Sequence, residues 1–346
     1  MADKKDDKKD AKPNLSRRGL MGFAAGAAAS LPFAARAQQP PAEAGRGGAG
    51  GGRGGRGGGR GAPQGGNGPI KVLFVSKYHQ FDRENLFLAF DNMGQDITWT
   101  HVEHPAAEAF YDPRLAAPYD VLMFYDAFAG REQRRRPDGT TETVYAPPSA
   151  QTQANLKALM QAGNKGFVFF HHAIASWVHS WPAGVNGSNA YVEMMGAAAD
   201  WGTPIKNIRG KDYQPSGALN GTQQRITVVN KTHPITQGVE DFDIVDEAYL
   251  CPIFEDSVTP LLRTNFVPVD KAFPNRPLTQ GHPPGSNLTG WVKVAERSPI
   301  VYIQHGHDQR AWENPSWQRL MLNSIRWAAS PESKAWARAN EKRIFR

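Results

Sequence analysis

From residue 70 onward, short apolar runs alternate with segments of helical spacing, and this alternation limits the fold more than any other feature of the chain. Continuous apolar runs such as residues 71–75 are typical of strands buried on both faces, as in parallel sheets. Between them, apolar side chains recur every three or four residues, as in residues 83–93, with Asp82 as the predicted N-cap. The pattern predicts an α/β fold, a doubly wound and mostly parallel sheet with helices on both faces. The predicted strands are residues 71–75, 97–102, 120–125, 166–170, 225–229 and 298–304, and the predicted helices are residues 83–93, 149–162 and 315–329.

The alternating region sets the predicted domain boundaries. Residues 70–330 are expected to form one α/β domain, and residues 331–346 a C-terminal helical tail. Within the domain, residues 126–148 and 267–290 have neither the apolar runs of a strand nor the apolar spacing of a helix, and they are rich in Gly, Pro and polar residues. Loops of this length in a compact domain are usually lids or insertions, so we expect irregular structure there.

Residues 1–37 have the features of a twin-arginine signal peptide. Residues 16–21 have the sequence Ser-Arg-Arg-Gly-Leu-Met, and a weakly apolar segment rich in Ala and Gly follows. Residues 35–37, Ala-Arg-Ala, match the small-residue pattern of a signal-peptide cleavage site. We therefore expect the protein to be periplasmic or otherwise exported by the twin-arginine route.

The basic charge of the chain lies outside the predicted domain. Residues 38–69 consist mainly of Gly, Arg, Pro and Gln, which offer no core to bury, and are predicted to be a disordered linker. The formal net charge of +7 lies within residues 1–69. Arg-Gly-Gly repeats in the linker resemble RNA-binding segments, but the export signal and the neutral domain argue against a nucleic-acid partner. Nor does any apolar run reach the roughly 20 residues of a membrane span.

Histidines gather where the predicted strands end. In parallel sheets the ligand site lies beyond the carboxyl ends of the strands. Five of the ten histidines fall at or just past three such ends, which a scatter of core histidines would not produce. The polar and aromatic residues at these three ends are His79; His171, His172 and Trp177; and His305, His307 and Asp308. A fourth predicted strand ends in Tyr125 and Asp126.

Several short motifs, taken in order, resemble the trehalose-utilisation (ThuA-like) family. They span about residues 70–330: His79, the His-His-Ala turn at 171–173, Trp177, Trp181-Pro182, His-Pro-Ile-Thr at 233–236, Asp-Glu-Ala-Tyr at 246–249, and Gly-His-Asp at 306–308. The resemblance implies a class I glutamine amidotransferase-like fold with flavodoxin-like topology. It also implies a role in the breakdown of trehalose and related disaccharides, including their keto derivatives. The extra histidine before Gly306 leaves open whether His305 or His307 faces the pocket.

The same resemblance excludes amidotransferase chemistry. That class places a nucleophilic cysteine on the turn after the fourth strand, where this chain has His171, His172 and Ala173. The single cysteine, Cys251, lies before a proline in an apolar stretch and is predicted to be a buried small side chain. Without a thiol at the turn, hydrolysis through a thioester is not available.

Histidines with carboxylate partners can perform acid–base catalysis or bind a metal such as zinc. His172 and His307 are the predicted acid–base residues, oriented by Asp308 and Glu247. If a metal is present, the predicted ligands are His172, His307 and Asp308, and a metal-free polar site is the alternative. The predicted sugar contacts are His79, Tyr125, Asp126, His171, Trp177, Trp181 and His305.

These residues predict an exported protein of carbohydrate metabolism with a small-molecule sugar ligand. Hydrolase- or lyase-type chemistry on a disaccharide or keto-sugar is the first hypothesis. The alternative is a non-catalytic sugar-binding or partner-binding protein on the same fold. An enzyme converts its sugar, whereas a binding protein only becomes saturated, and the sequence leaves the oligomeric state open.

Overall fold

A ten-stranded sheet forms the centre of the protein in a computed structural model that describes residues 63–181, 184–273 and 276–346. The predicted signal peptide, residues 1–37, and residues 38–62 of the predicted linker lie outside the described residues. The strands in chain order are β1 (Gln64–Gly66), β2 (Ile70–Lys77), β3 (Ile97–Glu103), β4 (Val121–Asp126), β5 (Arg131–Arg135), β6 (Thr141–Tyr145), β7 (Gly166–Phe170), β8 (Ile205–Ile208), β9 (Lys211–Tyr213), β10 (Gly217–Val228), β11 (Phe242–Leu250), β12 (Thr259–Thr264), β13 (Leu288–Ala295) and β14 (Ser298–Ile303).

The α-helices of the same residues include the three predicted ones. They are α1 (Arg83–Asp91), α2 (Ala150–Ala162), α3 (Ala190–Met195), α4 (Gln309–Trp312), α5 (Pro315–Ala329) and α6 (Pro331–Ala339). Asp82 caps α1 as predicted, because its side chain accepts a hydrogen bond from the backbone N–H of Asn85. Helix α6 lies in the predicted C-terminal helical tail. No helix among the described residues is long and apolar enough to span a bilayer.

The central part of the sheet is parallel and has flavodoxin-like topology. The full strand order is β1-β3-β2-β4-β7-β14-β13-β12-β10-β11, and the pairs from β3 to β14 are parallel. Counted in chain order, these five parallel strands have the order 2-1-3-4-5, which defines the flavodoxin-like arrangement. The predicted α/β fold with a mostly parallel central sheet is therefore confirmed.

Helices cover both faces of this sheet, as the doubly wound prediction requires. Side chains alternate along β2, so Leu73 packs in the core on one face and Phe74 in the core on the other. Helix α2 contributes Leu156 to the first core, and α1 and α5 contribute to the second core, for example through Phe90. Each core excludes water from one face of the sheet.

The antiparallel half of the sheet was largely missed by the sequence prediction. Strands β13, β12, β10 and β11 extend the sheet from β14, and each pairs antiparallel with its neighbour. Of these, only residues 225–229 were predicted as a strand. The two predicted long loops also contain regular structure: the β5–β6 hairpin lies within residues 126–148, and β13 begins within residues 267–290. The hairpin is mostly exposed, so its residues carry no apolar pattern that would reveal it.

The folded domain begins before residue 70, which corrects the predicted linker boundary. Strand β1 pairs antiparallel with β3 at the edge of the sheet, and the N–H of His101 donates to the carbonyl of Pro63 (2.8 Å). A Cβ on Gly65 would lie 2.1 Å from Asp91 Oδ1, so glycine is needed for this close approach. An edge strand held by backbone hydrogen bonds needs no apolar side chains. Strand β1 therefore has the same Gly-rich composition as the predicted linker, and the sequence prediction placed it there.

Candidate functional site

Four histidines from three strand ends meet at the carboxyl edge of the parallel strands. The ring of His172 lies 3.8 Å from that of His79 and 4.3 Å from that of His171, measured between ring centroids. His307 follows β14, and its ring lies 5.0 Å from His171, 5.1 Å from His79 and 6.4 Å from His172. We call His79, His171, His172 and His307 the histidine cluster. Its members are close enough to contact one small molecule.

The turn after β7 holds His171 in an unusual backbone conformation. His171 has φ of 51°, in the left-handed region that non-glycine residues rarely adopt, and a 3-10 turn follows it. Its carbonyl accepts a hydrogen bond from the hydroxyl of Tyr302 (2.8 Å). The strained backbone of this turn thus holds an imidazole at the carboxyl edge of the sheet.

Hydrogen bonding fixes which nitrogen of His171 faces the cluster. Nδ1 lies 3.0 Å from the carbonyl oxygen of Gln304, which can only accept, so Nδ1 carries the proton. In the neutral ring, Nε2 then presents its lone pair to the cluster. The hydroxyl of Tyr249 lies 2.8 Å from this nitrogen.

Glu247 joins the cluster from β11. Its Oε2 lies 3.4 Å from Nε2 of His171 and 3.1 Å from Nδ1 of His307. Burial raises the pKa of Glu247, but hydrogen bonds and charges from the two histidines outweigh burial and hold that pKa well below its usual range. Burial likewise lowers the pKa of His307, but Glu247 outweighs it and raises that pKa above its usual value. Both pKa shifts favour the charged forms, so Glu247 and His307 each stabilise the charge of the other.

The backbone around His307 is held by a buried carboxylate. Asp246 accepts hydrogen bonds from the N–H of Gly306 (2.7 Å) and the N–H of His307 (3.1 Å). Gly306 has φ of 133°, and a Cβ there would lie 2.9 Å from the ring of Phe170. The hydroxyl of Tyr125 donates to the carbonyl of Gly306 (3.0 Å). His307 is thus positioned by three elements of the sheet.

His79 and His172 are neutral at pH 7. Burial and the nearby charges of His171 and His307 lower the pKa of His79 to about 4. Burial also lowers the pKa of His172 well below its usual value. Neither ring nitrogen of His172 has a hydrogen-bond partner, although both are buried. Buried polar atoms are normally paired, so His172 is suited to a bound molecule.

A cleft of about 430 Å³ opens beside His79 and is wide enough for a small polar ligand. It is lined by Lys77, Tyr78, Arg83 and Glu103 among others. Tyr78 lines this cleft, is about half exposed and has φ of 65°, in the left-handed region. Sequence reasoning passed over Tyr78, although its position directly before His79 was the available signal.

Two predicted carboxylates lie away from the cluster. Asp308 caps α4 and pairs with Arg310 (2.5 Å), with a side chain that is 34% exposed. Asp126 is buried on the other side of β4, where it accepts from the hydroxyl of Ser176 and lies 3.3 Å from Nε2 of His104. Burial lowers the pKa of His104, but Asp126 and Glu108 outweigh burial and raise it to about 9. Asp126 therefore contacts His104 and Ser176 on the side of β4 that faces away from the cluster.

Three further predicted contacts lie in the core. Trp177 and Trp181 pack against each other, with ring centroids 5.7 Å apart, in the core on one face of the sheet. His305 is buried, and its backbone carbonyl accepts from the indole of Trp317. His307, and not His305, belongs to the cluster. Tyr125 does lie there, with its ring 4.4 Å from that of His172, but its hydroxyl is used to hold the turn at Gly306.

Two further side chains near the cluster, Tyr249 and Asn220, were not predicted as site residues. Nδ2 of Asn220 lies 3.0 Å from Nε2 of His307, and the hydroxyl of Tyr249 lies 2.8 Å from Nε2 of His171. Glu247 and Tyr249 are two positions apart on a strand and so share one face. Had residues 242–250 been predicted as a strand, this spacing would have indicated Tyr249.

One triad of ligand-type atoms stands out among the described residues. Nε2 of His171, Nδ1 of His307 and a carboxylate oxygen of Glu247 all lie within 4.8 Å of one another. The predicted metal set of His172, His307 and Asp308 shares only His307 with this triad. Asp308 is turned to Arg310, which explains the difference.

The fold and the site define a flavodoxin-like α/β protein with a histidine–glutamate site at the carboxyl edge of its parallel strands. The model of the ThuA family, described as trehalose utilisation, matches residues 71–328, and the chain belongs to this family. The resemblance found in the sequence is thereby confirmed.

Other comparisons give more distant similarities. No curated protein matches the chain in sequence. Among solved structures, a ThuA-like protein from Parabacteroides merdae ATCC 43184 is 16% identical with a TM-score of 0.48, over 76% of this chain and 90% of its own. A cytoplasmic protein from Salmonella typhimurium LT2 is 9% identical with a TM-score of 0.44, over 75% and 99% of the two chains. A glutamine amidotransferase from Thermotoga maritima is 8% identical with a TM-score of 0.33, over 75% and 98%.

Proposed function

We propose that this ThuA family member cleaves a disaccharide or its keto derivative by acid–base chemistry in the histidine cluster. The observation that carries the proposal is the contrast between two imidazoles in one site. The pKa of His172 is lowered and that of His307 is raised, by burial and by Glu247 respectively. Pairs of titratable groups whose pKa values are pushed apart are typical of a base and an acid that act together.

The two roles suit elimination from a keto-sugar. A base that removes the proton beside the carbonyl allows the glycosidic oxygen to leave, and that oxygen must take up a proton. Neutral His172, whose ring nitrogens have no hydrogen-bond partner, is the proposed base. The ring centroid of His79 lies 3.8 Å from that of His172. Protonated His307, paired with Glu247 at 3.1 Å, is the proposed acid.

The carboxylates of the site favour this chemistry over the usual hydrolysis of glycosides. That reaction commonly uses two carboxyl groups on either side of the scissile bond. Here Glu247 contacts two imidazoles, and Asp246 is bound to backbone N–H groups. The half-exposed ring of Tyr78, which lines the cleft, provides an apolar face on which a sugar ring can stack.

The test is an incubation of the protein with trehalose, with a keto derivative of trehalose and with matched monosaccharides, followed by chromatography of the products. We expect release of a monosaccharide from the keto-disaccharide, at a rate proportional to protein concentration. Saturable binding without product, measured by calorimetry, would favour the sugar-binding alternative instead. The absence of both binding and turnover with all of these sugars would contradict the proposal.

We also propose export by the twin-arginine route, on the basis of residues 16–37, which lie outside the described residues. Replacement of Arg17 and Arg18 by lysine is expected to leave the precursor uncleaved in the cytoplasm, because the paired arginines are the recognised feature of such signals. Fractionation and immunoblotting measure the outcome. Normal cleavage and recovery of the double variant outside the cytoplasm would argue against this route.

A further inference from the structure

We infer that His171, Glu247 and His307 form a binding site for a divalent transition metal of the zinc type, with one coordination position open. The ligand atoms are Nε2 of His171, Nδ1 of His307 and Oε2 of Glu247. They come from the turn after β7, the end of β14 and strand β11.

The three distances among these atoms are equal to or slightly shorter than the edges of one face of a zinc tetrahedron. They are 2.9 Å between the two nitrogens, 3.1 Å from His307 to Glu247 and 3.4 Å from His171 to Glu247. Zinc bonds to nitrogen and oxygen of about 2.0–2.2 Å put neighbouring ligands of a tetrahedral ion about 3.3–3.5 Å apart. A small outward movement of the side chains would therefore admit the ion.

The hydrogen bonds of this triangle compete with one another. Nδ1 of His171 is committed to the carbonyl of Gln304, so Nε2 has one lone pair, and both the hydroxyl of Tyr249 (2.8 Å) and Nδ1 of His307 (2.9 Å) lie within hydrogen-bond distance of it. A proton on Nδ1 of His307 can be donated to only one of the other two atoms at a time, whereas a cation at the centre of the triangle contacts all three atoms. Metal binding would thus displace that proton.

The surrounding contacts orient the proposed ligands as metal sites require. Ligating histidines usually hydrogen-bond through their second nitrogen, which fixes the ring and its tautomer. His171 does so through the carbonyl of Gln304 (3.0 Å). Nε2 of His307 lies 3.0 Å from Nδ2 of Asn220, and this amide accepts the Nε2 proton of a metal-bound ring once it turns its oxygen to the ring. Asp246 fixes the backbone of His307, and Tyr302 that of His171. The rings are therefore held in place before any ion arrives.

The open position points to a catalytic ion. Structural zinc sites have four protein ligands, whereas catalytic ones have three and a water or substrate. His172 lies beside the triad, with its ring 4.3 Å from that of His171 and both nitrogens buried without partners. A water or sugar oxygen on the metal would give these nitrogens a partner. Two imidazoles and one carboxylate suit zinc and similar ions, while Mg²⁺ and Ca²⁺ prefer oxygen ligands.

This inference deepens the proposed function, because a bound ion would polarise a keto oxygen, and water on the ion would replace His307 as the proton donor. Metal affinity is nevertheless measured without any sugar. If no zinc binds, the metal-free chemistry of the proposed function still stands. If no sugar is converted, the metal site still stands.

The experiment is a calorimetric titration of the chelator-treated full chain with ZnCl₂, with MgCl₂ as the comparison. We expect one zinc per chain and little affinity for Mg²⁺. Glu247→Gln and His307→Gln should each weaken zinc binding by about 10- to 100-fold or more, since each removes or replaces a ligand. Asp308→Asn is the matched control, because Asp308 neighbours His307 but pairs with Arg310, and its zinc affinity should equal that of the wild type.

A second measurement does not depend on any variant folding. X-ray absorption of the wild-type zinc form should show a first shell of nitrogen and oxygen atoms that includes two imidazoles. The inference is overturned if the wild type shows no saturable 1:1 zinc binding. It is also overturned if no imidazole scattering is seen, or if both site variants, folded by circular dichroism, bind zinc as tightly as the wild type.

Discussion

Replacement of His172 by leucine is expected to lower turnover of the keto-disaccharide at least about 100-fold and, at the same time, to raise the melting temperature by a few degrees. The loss of activity follows from removal of the proposed base, since positioned general bases contribute typically about 10²–10⁴-fold. The gain in stability follows from burial. His172 is 3% exposed, and neither of its ring nitrogens has a hydrogen-bond partner.

An unpaired buried polar group costs about 1–3 kcal/mol, and leucine fills a similar space without such a group. We therefore expect the free energy of unfolding to rise by about 1–2 kcal/mol. Opposite changes in stability and activity are typical of a side chain kept for function. Thermal melts and initial rates on the same preparations measure both quantities.

His233→Leu is the matched control for this substitution. His233 lies outside the cluster and caps a 3-10 turn, where its Nδ1 accepts from the N–H of Ile235 (3.2 Å). Loss of this cap is expected to lower stability by about 0.5–2 kcal/mol and to leave turnover unchanged. A lower melting temperature together with normal turnover in His172→Leu would show instead that His172 is a structural residue.

The parallel half of the sheet could be predicted because burial on both faces leaves a direct trace in the sequence. Strands such as β2 and β7 are continuous apolar runs, and helices of clear periodicity separate them. Strand β11 leaves no such trace, since its residues alternate between buried and more exposed positions and include three acidic side chains. Its position is set by pairing with β10, the strand before it, from which residues 229–241 separate it. In the antiparallel half, pairing between strands therefore matters more than the apolar pattern within one strand.

Part of the histidine cluster could be predicted for a related reason, since parallel strands end at one edge of a sheet. The position of a strand end, however, does not determine which way each side chain points. Tyr125 and Asp126 are adjacent on β4, so one faces the cluster and the other faces His104 on the opposite side. His171 and His172 are also adjacent, yet both face the cluster, because the left-handed backbone of His171 interrupts the alternation of side chains along the strand. Local conformation, which the sequence did not reveal, therefore selected the members of the site.

Replacement of Asp246 by alanine is expected to destabilise the protein by about 3–5 kcal/mol, which is large against a typical total of 5–15 kcal/mol. Asp246 is 0% exposed, and its two oxygens accept from the N–H groups of Gly306 and His307. Alanine would leave two backbone donors unpaired at a cost of about 1–3 kcal/mol each, and hydrogen bonds to a charged acceptor are among the stronger ones. Urea unfolding followed by circular dichroism measures the change.

Asp243→Ala on the same strand separates this effect from a general loss of acidic residues on β11. The side chain of Asp243 is 61% exposed and pairs with Arg225 at the surface, so its removal should cost no more than about 1 kcal/mol. Because Asp246 also positions the backbone of His307, the Asp246 variant should lose zinc affinity under conditions where it remains folded, whereas Asp243→Ala should keep it. Asp246→Asn retains one acceptor oxygen and should fall between the two in stability. Equal stability of the Asp246→Ala and Asp243→Ala variants would mean that the turn at Gly306 is held by other contacts, such as the hydroxyl of Tyr125.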